Sequence, residues 1–227
     1  MSTVRAVHAR LTGLTWVHLS LVGGALLTLV WSAWHTNGLD GRLVRDGLVF
    51  LVIPVTLATA YGRELGYRID RRAVGHALAL AAFVLPFYVV GSSLPTIRAY
   101  YPMWGLDSAA PAAFLPHAAK QFLVVIAAET YYRGLLCVGV REIGPKSILI
   151  SPVAYAIAHT AKPPIELVLS GPTDVLFGAM DYRSASLLPS VVAHGLGLVL
   201  LDWLVLHPPL LAPDRVTGWL AWLPIPV

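Results

Sequence analysis

The feature that most constrains the fold is a succession of long apolar runs separated by short polar segments. The runs cover about residues 14–34, 47–61, 73–90, 118–140, 147–161, 165–180 and 186–206. A membrane-spanning helix needs about 20 mostly apolar residues, whereas the strands of a membrane β-barrel are short and alternate apolar with polar positions. The pattern therefore predicts an all-α, polytopic transmembrane helical bundle with about seven spans. We expect residues 1–227 to form a single transmembrane domain.

Composition and charge support this class. The chain is 57% hydrophobic and only 12% charged, while a soluble globular protein has about 25% charged residues. The net charge of +4 comes from basic residues in short loops, without the basic stripe that nucleic-acid binding requires. We therefore expect the lipid bilayer as the surroundings and no nucleic acid as a partner. The single cysteine, Cys137, cannot form an intrachain disulfide and is interpreted as a packing residue.

Basic residues in the connecting segments predict the orientation. The first run follows Arg5 and Arg10 and is longer than the core of a signal peptide, so it is interpreted as a retained span. With the N-terminus inside, nine Lys and Arg side chains fall on the inner side and five on the outer side. Basic residues accumulate in cytoplasmic loops. We therefore expect an integral multi-pass protein of the bacterial cytoplasmic membrane with its N-terminus inside.

Three further segments carry structural expectations. Residues 35–46 contain turn-forming residues and two arginines, which predicts a polar loop. Residues 91–117 are rich in Pro, Ala and aromatic side chains and are predicted to form the longest connection. Gly171 and Pro172 are expected to interrupt the weak sixth run, and residues 219–224 to lie at the membrane interface.

The fourth run contains a charged pair, Glu129 and Arg133. Residues four apart lie on one face of a helix, one above the other. Each charge alone would cost about 3 kcal/mol in hydrocarbon, so ionisable residues within membrane spans usually mark functional sites. The pair is consistent with a carboxylate that activates water beside an orienting guanidinium. It is also consistent with a structural ion pair between helices.

Two later runs each contain one histidine, His159 and His194. Tyr155 lies one helical turn before His159, and His194 is flanked by small residues that allow close helix packing. Either histidine alone could be a hydrogen-bonded structural residue. Because they are the only histidines in the apolar runs after the charged pair, we expect the three spans to converge on one polar site that hydrolyses peptides.

The order of these residues resembles a known family. Glu129-Thr-Tyr-Tyr-Arg133, Tyr155-Ala-Ile-Ala-His159 and His194 resemble the three motifs of the CPBP family, the CAAX-protease and bacteriocin-processing intramembrane glutamic endopeptidases. The resemblance covers about residues 120–201 and implies a catalytic core at about 118–206. It implies an intramembrane endopeptidase whose substrate is a membrane-anchored protein or peptide, with C-terminal processing or sorting as one role. It implies neither a metal nor a cofactor.

In the family the water-activating role is usually assigned to the first glutamate of the motif, whose position is Ala128 here, so the roles that follow are our hypothesis for this chain. Glu129 would be the general base toward a water shared with His159, and Arg133 would hold Glu129 in place. His194 would stabilise the oxyanion of the tetrahedral intermediate. Two positions depart from the family pattern: Ala128 replaces its first glutamate, and Leu198 replaces its asparagine-like residue. The chain is thus either a single-glutamate subgroup or a non-catalytic member.

Other interpretations remain open from the sequence. Glu129, His159 and His194 could together bind a catalytic zinc, although no His-Glu-x-x-His pair is present. A catalytically inactive member could act as an immunity or partner-binding membrane protein. A transporter is disfavoured because the sequence has no inverted repeat. Asp202, two turns after His194, is a further candidate for the site, and the sequence carries no signal for the oligomeric state.

Overall fold

The computed structural model describes residues 15–227, and this range is helical without any β-strand. Arg5 and Arg10 lie outside the described residues. Within that range the helices are α1 (Trp16–Ala33), α2 (Gly38–Tyr61), α3 (Arg71–Gly91), α4 (Pro95–Tyr100), α5 (Pro111–Val138), α6 (Ser151–Ala158), α7 (Pro164–Ser184), α8 (Leu188–Val205) and α9 (Pro213–Leu220).

Five of the described helices are long and apolar enough to cross a membrane, namely α1, α2, α3, α5 and α8. The all-α class is confirmed, and the chain is an integral multi-pass membrane protein with five candidate spans rather than seven. Helix α6 has eight residues and is about 12 Å long, too short for a hydrocarbon core of about 30 Å. Helix α7 is long enough but contains Glu166, Asp174 and Asp181, which lower its hydropathy.

The predicted polar loop at 35–46 is wrong, because most of this segment forms the start of α2. Arg42 and Arg45 pair with Asp46 of the same segment, and Asp40 pairs with Lys120 of α5. The Asp46 carboxylate accepts hydrogen bonds from Arg42 Nε and Arg45 Nε, both at 2.9 Å, and from Trp31 Nε1 at 2.8 Å. Buried charges that are paired in this way allow a polar stretch to continue into an apolar helix.

The segment 91–117, predicted as a connection, is largely helical. It contains α4, a short 3₁₀ turn at Met103–Gly105 and the start of α5, where Pro111 occupies a first-turn position that tolerates proline. Arg98 joins this segment to the end of α8. Its Nη2 atom donates to the carbonyl oxygens of Val205 and His207, both at 2.8 Å. The carbonyls at a helix C-terminus lack intrahelical partners, and Arg98 supplies one.

The interruption predicted at Gly171 and Pro172 is wrong as well, because α7 is continuous across both residues. Proline inside a helix removes one backbone hydrogen bond. Contacts on the C-terminal side of Pro172 hold α7 to its neighbours. Asp174 accepts a hydrogen bond from Ser151 Oγ at 2.5 Å, and Asp181 accepts one from Ser190 Oγ at 2.5 Å.

Helix α8 lies close to its neighbours through two glycines. A Cβ atom added at Gly195 would lie 2.3 Å from Cε2 of Phe122 on α5, and one added at Gly197 would lie 2.2 Å from Cε2 of Tyr88 on α3. Both distances are far below a normal contact between carbon atoms. The absence of side chains at these positions therefore brings α3, α5 and α8 together around the polar site.

Helices α2 and α5 each contain a π-helical stretch, Gly47–Val52 and Thr130–Val138 respectively. The Gly139 N–H group accordingly donates to the Gly134 carbonyl five residues earlier, at 2.7 Å. The two stretches contact each other, because the rings of Phe50 and Tyr131 stack with centroids 4.3 Å apart. Such stretches are rare and often occur at functional sites.

Candidate active site

Glu129 is the last residue before the π-helical stretch of α5, and Arg133 lies within that stretch. Both side chains are completely buried. Arg133 Nε lies 3.2 Å from Glu129 Oε2, and Arg133 Nη1 lies 2.8 Å from Asp174 Oδ1 on α7. The guanidinium therefore bridges two carboxylates. Asp174 was not predicted from the sequence, where its only signal is an acidic residue in the middle of a weak apolar run.

His194 of α8 completes this cluster. Its Nδ1 atom lies 2.6 Å from Glu129 Oε1, and its side chain is 15% exposed. A carboxylate can only accept, so Nδ1 donates and Nε2 is the ring atom left for another group. The structure thus brings together three of the four predicted site residues, Glu129, Arg133 and His194.

The surroundings of Arg133 are mostly aromatic. Its Cζ atom lies 4.8 Å from the ring centroid of Tyr155 and 5.5 Å from that of Phe177. Its contacts with the two carboxylates are close but poorly directed, so the guanidinium nitrogens and Glu129 Oε2 make no well-aligned hydrogen bond to a described residue. Buried polar groups normally satisfy this capacity. Arg133 and Glu129 Oε2 therefore retain unused hydrogen-bonding capacity.

His159 lies at the C-terminal end of α6 and has other partners. Its Nδ1 atom lies 2.8 Å from the Tyr155 carbonyl oxygen, and its Nε2 atom lies 3.8 Å from Oε1 of Glu166 on α7. Within residues 15–227 no ion pair joins His159 to Glu129. Burial, assisted by the Lys162 ammonium, lowers the pKa of His159 to about 4, so its ring is neutral near pH 7.

Glu166 occupies the first turn of α7 and is the second site residue that was not predicted from the sequence. Lys162 Nζ lies 2.9 Å from its Oε1 atom. The Tyr101 hydroxyl group, from the segment before α5, lies 2.9 Å from Oε1 and 3.0 Å from Oε2. The available signal was the four-residue spacing of Lys162 and Glu166 across a Pro-Pro turn. The contact with Tyr101 had no local signal.

The ring of Tyr155 contacts both Arg133 and His159. The ring of Tyr155 lies under Arg133, and the ring of His159 packs against it with centroids 4.1 Å apart. Ala128, at the position of the missing glutamate, packs partly buried against the same apolar cluster as Tyr155. Tyr155 therefore contacts Arg133, which binds Glu129, and His159, which lies near Glu166.

Asp202 does not join either pair. Its Oδ2 atom accepts a hydrogen bond from Gln121 Nε2 at 2.9 Å and lies 3.1 Å from His117 Nε2. The zinc alternative is not supported by geometry, because residues 15–227 contain no group of three or more His, Cys, Asp or Glu side chains arranged to hold a metal ion. Glu129, His159 and His194 in particular do not form such a set.

Comparison with known proteins identifies the segment that holds these residues. Residues 111–199 match the family model described as type II CAAX prenyl endopeptidase Rce1-like. No curated protein and no solved structure matches the chain. The matched segment begins with α5 and ends within α8, so it contains Glu129, Arg133, His159 and His194 as well as Glu166. The resemblance to the CPBP family is confirmed: residues 111–199 of this multi-pass membrane protein form an Rce1-like domain of the CPBP, type II CAAX prenyl endopeptidase family.

Proposed function

We propose that this protein is an intramembrane endopeptidase that hydrolyses a peptide bond of a membrane-anchored protein or peptide. The observation that carries the proposal is the buried Glu129–Arg133–His194 cluster inside the Rce1-like domain. Two apolar helices contribute these three ionisable side chains. Such groups are costly at membrane depth and are usually retained for a function.

The contacts of the cluster favour a donor role for His194. Its Nδ1–H group donates to Glu129, and Glu129 is held in turn by Arg133, which also contacts Asp174. We assign the other ring nitrogen, Nε2, as the donor that stabilises the negative oxygen that develops on the scissile carbonyl. One such donor typically contributes about 3 kcal/mol to the transition state. In this assignment Glu129 and Arg133 orient His194.

His159 takes part in general-base catalysis. Its Nδ1 atom is engaged by a backbone carbonyl, so the neutral ring has its lone pair on Nε2. A water that donates a proton to a carboxylate–histidine pair can attack the carbonyl carbon. The C–N bond then breaks, and the abstracted proton passes to the leaving amine. The reaction consumes water and requires no further reactant.

Glu129 is the carboxylate that the sequence analysis paired with His159 for this step. Its Oε1 atom is 2.6 Å from His194, and its side chain has no exposed surface. These contacts favour a holding role for Glu129 over a role as the base. All four predicted residues keep a place in the proposed site, with Glu129 acting through His194.

We place the protein in the bacterial cytoplasmic membrane with the N-terminus inside, on the strength of the basic loop at 63–72. The proposed substrate is a protein cut near a C-terminal anchor. The bilayer confines both the anchor and the enzyme, so the substrate reaches the site by lateral diffusion.

The proposal is tested in cells with a library of reporters. Each reporter has a fluorescent domain, a randomised junction and one C-terminal membrane-spanning helix. Glu129→Ala, His159→Ala and His194→Ala should each lower cleavage by roughly 100-fold or more. Glu142→Gln is the control, because Glu142 pairs with Arg63 at the surface with 40% of its side chain exposed. Full cleavage by Glu129→Ala or His159→Ala would overturn the proposal.

A second candidate function is an immunity or partner-binding membrane protein that retains the fold without catalysis. Ala128 favours it, because this position lacks the carboxylate that the family pattern has there. In that case, no junction in the library would be cut. A membrane partner would instead co-purify equally well with the wild-type protein and with Glu129→Gln.

A further inference from the structure

We propose that Glu166 is the carboxylate that activates the attacking water together with His159. The inference rests on the proposed endopeptidase function and names the base for that reaction. It starts from one contact: Glu166 Oε1 lies 3.8 Å from His159 Nε2. Glu166 belongs to α7, outside the segment in which the sequence motif places its glutamate.

Hydrogen-bonding rules explain this distance. The Tyr155 carbonyl can only accept, so His159 Nδ1 carries the ring proton and Nε2 has a lone pair in the neutral ring. A carboxylate oxygen is also an acceptor, so the two atoms have no proton to share. The separation is longer than a hydrogen bond, but a water oxygen about 2.8 Å from each atom fits beside the line that joins them. Such a water donates one proton to each acceptor, which aims its own lone pair at a third group.

Accessibility distinguishes Glu166 from Glu129. The side chain of Glu166 is 24% exposed and that of His159 is 14% exposed, whereas Glu129 has no exposed surface. A base that must receive a new water in every turnover needs such access. Glu129 is enclosed by Arg133 and His194, so it is suited to orienting His194 and not to exchanging a proton with water.

The Glu166 carboxylate is also held in place. It receives one hydroxyl donor, from Tyr101, and one ammonium donor, from Lys162. A carboxylate has about four acceptor positions, so these two donors fix its orientation and leave room for a water. Burial and the neighbouring Lys162 ammonium keep the pKa of His159 at about 4, which preserves its lone pair at neutral pH.

A chain of contacts links the Glu166–His159 pair to His194. The Tyr155 ring packs against His159 on one contact and lies under Arg133 on another, and Arg133 binds the Glu129 carboxylate that holds His194. A scissile carbonyl near Tyr155 would therefore have the water on the Glu166–His159 pair and the oxyanion donor on His194. Glu166 accepts a proton from the water, and the water oxygen bonds to the carbonyl carbon. The proton then moves from Glu166 to the leaving nitrogen as the C–N bond breaks.

The experiment compares Glu166→Gln with Glu166→Asp, His159→Ala and Glu142→Gln in the full-length protein on a reporter cut by the wild type. We expect Glu166→Gln to lower kcat by 100-fold to 10,000-fold with KM and melting temperature unchanged. Glu166→Asp should recover part of the rate, and Glu166→Gln combined with His159→Ala should be no slower than the slower single variant, because both groups serve one step.

Several results would overturn the assignment. Wild-type cleavage by Glu166→Gln, while Glu129→Ala and His159→Ala are inactive, refutes the role of Glu166 and leaves the proposed function standing. Uncut reporters with every enzyme, wild type included, refute the proposed function itself. Equal losses in Glu166→Gln and Lys162→Met, with matching falls in melting temperature, show a structural ion pair instead.

A readout without substrate is a high-resolution structure of the wild-type protein in lipid nanodiscs. It should show an ordered water within hydrogen-bonding distance of both Glu166 Oε1 and His159 Nε2. A direct contact between these two atoms, without a bridging water, would also refute the assignment.

Discussion

The Nδ1 atom of His194 lies 2.6 Å from Oε1 of Glu129, although 65 positions separate the two residues in the chain. Both belong to helices that are candidate membrane spans. A charge-assisted hydrogen bond of this length fixes the orientation of the imidazole ring. The orientation of the His194 ring therefore depends on the Glu129 carboxylate.

This dependence predicts a coupled loss of activity. Glu129→Gln keeps the size of the side chain but removes the carboxylate that accepts the hydrogen bond from His194 Nδ1. We expect roughly 100-fold slower cleavage, and no further loss when Glu129→Gln is combined with His194→Ala. The measurement is a double-mutant cycle on reporter cleavage. Fully additive losses would contradict the coupling.

Arg133 predicts a large effect on stability. Arg133→Met leaves Glu129 and Asp174 buried without their shared counter-charge, and breaking a buried pair typically costs about 3–5 kcal/mol. Unfolding of the purified protein in mixed detergent micelles measures the change. Adding Asp174→Asn to Arg133→Met removes one uncompensated charge and should recover part of the loss. A double variant as unstable as Arg133→Met would contradict this explanation.

His159 predicts how stability depends on pH. Its folded-state pKa of about 4 is below the ordinary value of 6.5, so the unfolded chain binds more protons between these two values. The contribution of His159 to stability is therefore fully present above about pH 6.5 and is lost as the pH falls toward 4. Melting temperatures from pH 7 to 4 measure this loss, and His159→Gln should flatten the curve. Lys162→Met should raise the pKa of His159, because the ammonium of Lys162 disfavours the protonated ring.

Gly195 predicts a packing effect that can be compared with a matched control. A Cβ atom at this position would lie 2.3 Å from Phe122 Cε2, so Gly195→Ala should destabilise the protein by about 1–3 kcal/mol. Gly75→Ala is the control, because nothing lies within 4 Å of the added atom and alanine favours a helix interior. Adding Phe122→Leu to Gly195→Ala should restore stability. Equal effects of the two alanine variants would contradict the proposed close packing.

The apolar runs predict the spans well where the runs are uninterrupted, as in α1, α3 and α8. They fail at the start of α2, because Asp46 is stabilised by side chains from α1 as well as from its own helix. They fail in α7 because Pro172 indicates a break, while contacts of Asp174 and Asp181 with other segments maintain the helix. The local sequence shows which polar residues are costly to bury in an apolar helix. It does not show which distant side chains will pair with them.

The candidate site shows the same limit. Glu129, Arg133 and His194 could be anticipated, because ionisable residues in apolar helices must find one another. Asp174 and Glu166 could not, since both lie on α7, whose apolar run is weak and does not indicate which acidic side chains find a partner. Their partners, Arg133 and Tyr101, come from distant segments.

The π-helical stretch at Thr130–Val138 bears on how such sequences can change over evolution. Each hydrogen bond in this stretch spans one more residue than in an α-helix, so losing a single residue there would let ordinary α-helical bonding resume. The remainder of α5 would then rotate by about 100° relative to Glu129. Arg133 would then lose its contact with Asp174, and Tyr131 would lose its contact with Phe50. We therefore expect this segment to tolerate substitutions far better than insertions or deletions, and relatives that keep the site should keep its length.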